Sequence, residues 1–262
     1  MSRIRSLLPF HEMILDHGEI LFIKRNELVF ALDDPYKLNH YADTIVQEQS
    51  LLLQAVDSVL TLELSQTIEK LISALVNSKK HLNKRKFNTI QKWLGIDIEY
   101  ESGQLEYYKN IDLLLDRANH LSQKLQLEIH KSQERFKKLI VLREQMFKYI
   151  VAAEEFLLEY PKFAGNVHPL DNFSERLSKK INMLYTLQAS NDLVITQMQV
   201  SEQLAFVLID RFKEAQQVLI PTWQYHVKLC QQSHSTIELE KLDNSRENLI
   251  KNLKKSLENN ID

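Results

Sequence analysis

Apolar residues step by three and four along the middle of this chain. They run from Ile111 through Leu114, Ala118, Leu121, Leu125, Ile129, Phe136, Leu139, Met146 and Ile150 to Ala153. The mean step is about 3.5 residues, which keeps one seam of a helix facing a partner. Ser132 and Arg143 interrupt that seam, so it predicts an imperfect coiled coil. A second series follows in Phe173, Leu177, Ile181, Leu184, Val194, Met198, Ala205, Leu208, Phe212 and Leu219. Between the two, Pro161, Gly165 and Pro169 crowd into residues 160–170. Two amphipathic helices joined by a breaker-rich loop predict an antiparallel hairpin, with Asp171 or Asn172 capping the second helix.

The same pattern extends outward. Residues 36–94, 104–160 and 170–220 contain neither glycine nor proline, as long helices require. The expected architecture is therefore all-α: long antiparallel helical hairpins, or an elongated coiled-coil-like bundle, over residues 36–262. An N-terminal segment, residues 1–35, stands apart. Its apolar runs at residues 20–23 and 28–31 flank Lys24-Arg25-Asn26 and fit either a small β-hairpin or a short helix. Residues 96–101 alternate between Gly95 and Gly103 and predict an extended connection. Residues 238–260 place Leu242, Leu249, Leu253 and Leu257 on one side of a further amphipathic helix.

Composition narrows the function classes. Among 262 residues there are only 4 glycines and 5 prolines, too few for the turns of an all-β fold or a phosphate-cradling glycine loop. The sequence has no H-E-x-x-H, EF-hand or C-x-x-C pattern, so no catalytic residue and no cofactor is expected, and the chain is read as not an enzyme. The net charge of −2 gives no global attraction to nucleic acid. Arg3 and Arg5 precede an apolar run that breaks at Pro9, too short for a signal peptide, and no stretch reaches the roughly 20 apolar residues of a membrane span. With one cysteine, Cys230, the expectation is a cytoplasmic protein, with peripheral contact at the inner membrane face left open.

Three local features carry candidate chemistry. His226 and Cys230 lie one helical turn apart and could chelate a soft metal. His234 lies about 12 Å along the axis from His226, so one helix supplies too few ligands, and a half-buried cysteine beside two histidines is the simpler reading. Lys79, Lys80, Lys84, Arg85 and Lys86 form the densest basic run, a candidate surface for anionic lipid. A solvated helix end, with lysines complementing the helix dipole, explains them as well. Pro221 interrupts a helical pattern beside Trp223, marking a kink or the first turn of a new helix with the indole as packing anchor.

Three segments resemble the TelA/KlaA toxic-anion (tellurite) resistance family. They are Lys92-Trp93-Leu94-Gly95, Tyr149-Ile150-Val151-Ala152-Ala153, and Leu208-Ile209-Asp210-Arg211-Phe212 through Ile220-Pro221-Thr222-Trp223. Helix order and spacing are similar to that family over most of residues 47–259. The resemblance implies an all-helical cytoplasmic protein linked to resistance against tellurite and related stresses, working through protein partners or the membrane surface; self-association is expected separately, along the seam from Ile111 to Ala153. It brings no catalytic residues.

Overall fold

The computed structural model describes residues 7–76, 96–162, 172–214, 216–217, 220–221 and 251. Among these there are helices and turns but no strand. The order is a 3-10 turn at Phe10–Glu12, α1 (His17–Ile23), a π turn (Lys24–Leu28), α2 (Val29–Ala31), α3 (Pro35–Asn39), α4 (Asp43–Leu52), α5 (Ser58–Val76), α6 (Ile96–Glu159), a 3-10 turn at Tyr160–Lys162, and α7 (Phe173–Glu214). The fold is all-α.

Contacts group the chain into two compact units: Met1–Ala55 with His130–Glu202, and Val56–Ile129 with Gln203–Asp262. Both long helices contribute to each unit. Residues 20–31 are built into the first unit's core beside Met146 and Ile150.

In the first unit α6 and α7 run antiparallel. Arg143 meets Asp192 and Gln133 meets Glu202, so residue numbers fall along one helix as they rise along the other. The predicted seam is the buried one: Leu139, Met146, Ile150 and Ala153 of α6 and Leu177 and Leu184 of α7 are fully buried. Phe156 and Phe173 make an edge contact at the hairpin end. The Asn172 carbonyl accepts from Arg176 N–H, starting α7 at the expected place. One seam position differs. Ile195, not Val194, is fully buried, because Gln188 and Asn191 hold the core positions between it and Leu184.

The segment at residues 20–31 is helical, not a β-hairpin. Asp16 Oδ1 accepts from Gly18 N–H at 2.7 Å and caps α1, and no glycine or Asn-Gly pair is present to form the tight turn of a hairpin. Ile20, Ile23, Leu28 and Ala31 are all buried, although Ile23 and Leu28 lie five apart, off the usual three-four spacing. The π turn resolves that mismatch. Val29 N–H bonds to the Lys24 carbonyl five residues back, absorbing one extra residue and returning Leu28 to the core face. Lys24 Nζ reaches Glu159 at 2.7 Å and Glu155 at 3.1 Å. Burial alone would lower its pKa, but these hydrogen bonds hold it above the ordinary lysine value.

Residues 96–101 are helical rather than extended, since α6 begins at Ile96 and passes through Gly103. Once Tyr107 and Ile111 pack against Leu71 and Leu75, each further residue adds a hydrogen bond at little cost, and one interior glycine costs only about 1 kcal/mol. In the second unit α5 lays Leu64, Ile68 and Ile72 against Leu121, Leu125 and Ile129 of α6 and Leu208 and Phe212 of α7.

Between α3 and α4, Ala42 adopts φ 64°, the left-handed region. A Cβ there costs roughly 1 kcal/mol, and β-branching makes it worse. Ala42→Gly is therefore expected to lie within about 1 kcal/mol of the parent in urea denaturation, lost methyl burial offsetting relieved strain. Ala42→Val is expected to be clearly less stable than either.

Candidate functional site: a buried polar network

The two residues that break the α6 seam, Ser132 and Arg143, are both buried. Ser132 Oγ has no hydrogen-bond partner among the described residues. Arg143 is the opposite case. Its Nε and Nη2 each donate to an Asp192 carboxylate oxygen at 2.8 Å, a bidentate pair. Its Nη1 donates to the Leu8 carbonyl at 2.8 Å, and its guanidinium lies 4.5 Å from the Phe10 ring. Phe10 in turn stacks on Phe147 at 4.4 Å. One arginine thus fastens residues 8–10 to both long helices of the first unit.

The network continues inward. Asp192 Oδ1 also accepts from Gln188 Nε2 at 2.7 Å. Gln188 Oε1 accepts from Gln49 Nε2 at 3.0 Å, and Gln49 Oε1 accepts from Asn191 Nδ2 at 2.8 Å. Gln49 and Gln188 are fully buried. α4, α6, α7 and the N-terminal segment therefore meet in one polar chain whose donors and acceptors answer each other. Such chains strengthen cooperatively and specify one register for the helices that carry them.

A second cluster ties the α3–α4 corner to α7. Lys180 Nζ sits 2.9 Å from Asp43 Oδ1, and His40 Nδ1 lies 2.8 Å from Asp43 Oδ2. Burial alone would raise the Asp43 pKa, but the hydrogen bonds from Lys180 and His40 hold it below the usual carboxylate range. A depressed folded-state pKa means that the unfolded chain binds the proton first. The stabilisation is complete above the usual Asp value near pH 4 and is lost as pH falls through the lowered folded value. Asp43→Asn is expected to flatten this acid limb of the stability profile, measured as helical signal against pH.

Sequence reasoning placed its candidate sites elsewhere. Lys79, Lys80, Lys84, Arg85, Lys86, His226, Cys230 and Trp223 all lie outside the described residues, and Pro221 is helical and exposed. Among the described residues no group of three or more His, Cys, Asp or Glu could hold a metal ion, and no helix is long and apolar enough to cross a membrane. The network itself was missed. Its signal was present in Arg143 as a seam interruption and in the gap between Leu184 and Val194.

The chain is 28% identical to Protein KlaA of Escherichia coli over 188 residues, covering 71% of this chain and 72% of that protein. The resemblance to the TelA/KlaA family stands. The Tyr149–Ala153 segment that suggested it supplies Ile150, Ala152 and Ala153 to the core, and the Tyr149 carbonyl accepts from Tyr41 Oη at 2.6 Å. Leu208, Ile209 and Phe212 of the C-terminal segment are buried too. No family model matches the chain, and no solved structure matches it.

Proposed function

We propose that this protein is a non-enzymatic helical accessory factor in resistance to tellurite and related toxic anions, acting through protein partners or at the inner membrane face. The KlaA-like sequence is the observation that carries this reading. The buried network supports it. Its polar side chains are engaged with one another, which suits a register-fixing role better than reactive chemistry. The outer side of α1 and α2 supports a partner: Leu21, Phe22, Val29 and Phe30 are all exposed there. The test is tellurite tolerance of a strain lacking the gene, with and without a plasmid copy. Loss of tolerance restored by the plasmid is expected, and unchanged tolerance under inducing conditions rules the reading out.

The alternative function is a scaffold or peripheral membrane module unrelated to tellurite, with the basic run at residues 79–86 as its lipid contact. Co-sedimentation with anionic liposomes at low salt separates it. Binding that is lost on charge reversal of Lys84, Arg85 and Lys86 would favour this alternative.

A further inference from the structure

The π turn that rescues the core register has an outward consequence. It carries Asn26 and Glu27, and both line a cleft of about 270 Å3 with Phe30, Tyr36, Lys37, His40 and Tyr41. Short π segments inside helices recur at functional sites. Here the segment brings a carboxylate and an amide to a wall otherwise made of rings and the Lys37 side chain.

Lys37 apart, the chemistry of that wall favours a positive charge. Glu27 Oε1 accepts a short hydrogen bond from the Tyr149 hydroxyl, and Oε2 has no hydrogen-bond partner among the described residues. Asn26 Nδ2 is engaged with the Phe22 carbonyl at 2.9 Å, which leaves its side-chain oxygen as an acceptor. Phe30 and Tyr36 are exposed rings, Tyr36 meets the His40 ring at 4.2 Å between centroids, and Tyr41 is buried against Tyr149 at the base of the cleft. Ring faces, a carboxylate and an amide oxygen all attract cations. A cation in the lining already shows this: Lys37 Nζ sits 5.3 Å from the centroid of the Phe30 ring. Lys37 is exposed and its stem is flexible, so it can leave.

We propose that this cleft binds a small organic ammonium ion, with Glu27 as its counter-charge and Phe30 as its π face, and that Lys37 occupies the place of the ligand in the free protein. A cation arriving from solution displaces the lysine ammonium. An anionic or zwitterionic ligand would instead need Lys37. The two cases predict opposite effects of removing it.

The experiment titrates the full chain with tetramethylammonium chloride and n-butylammonium chloride at constant ionic strength, following the aromatic ring resonances by NMR. Sodium butyrate is the anion control. Saturable shifts of the Phe30, Tyr36 and His40 rings are expected with the ammonium salts alone. Lys37→Ala should tighten binding about two- to fourfold by removing a like charge. Phe30→Leu, at an exposed position where folding is not at stake, should weaken it about two- to fivefold. Glu27→Gln should weaken it as well. Absence of saturable shifts with both ammonium salts, or loss of binding in Lys37→Ala, overturns the proposal.

Discussion

Replacing Asp192 with alanine is expected to cost about 3 kcal/mol or more of stability, read from urea denaturation of the helical signal. The magnitude comes from what stays behind. Arg143 is 5% exposed, so without Asp192 a guanidinium remains buried with the Leu8 carbonyl, the Met13 sulfur and a ring face for company. Gln188 Nε2 loses its acceptor in the same step. Breaking one side of a buried pair is far costlier than replacing both sides. The double variant Arg143→Leu with Asp192→Leu is therefore expected to recover more than half of the loss. If Asp192→Ala alone stays within 1 kcal/mol of the parent, Arg143 is not held as described.

That pair also marks where the fold is legible in the sequence. The seams are legible because burial has a period: Leu125, Leu139, Met146, Ile150, Leu177 and Leu184 are apolar at helical spacing and all fully buried. Periodicity has nothing to say about a polar side chain on the same face. Arg143 looked like a defect in a coiled coil, and only its partners across the chain, at Asp192 and Leu8, make it a fastening. Gln188 and Asn191 were hidden for the same reason, their partner Gln49 being 139 and 142 residues away.

The π turn is a different kind of failure. A five-residue gap between Ile23 and Leu28 breaks the helical period, so helix and hairpin fitted the N-terminal runs equally well. The deciding contacts, such as Lys24 with Glu155 and Glu159, are again distant in sequence. Gly103 misled in the same direction, since local propensity yields where a helix is anchored by packing farther along.

Gln188→Ala is expected to cost about 2 kcal/mol, although it removes no charge and the glutamine lies in an interior where an apolar residue would ordinarily be favoured. Gln188 Oε1 is the acceptor for Gln49 Nε2, and Gln188 Nε2 steadies Asp192 Oδ1 against Arg143. Truncation leaves the fully buried Gln49 with an unanswered donor, and the penalty belongs to that orphan rather than to the lost bond. A double-mutant cycle isolates it. Once Gln49→Leu has removed the donor, Gln188→Leu should cost clearly less than it does in the parent, a coupling of about 1 kcal/mol or more. Asn191 retains a share of the cost in every variant lacking Gln49, because its Nδ2 donates to Gln49 Oε1. Strict additivity of Gln49→Leu and Gln188→Leu would mean that these amides pack beside each other without bonding, and that register in this unit rests on the apolar seam alone.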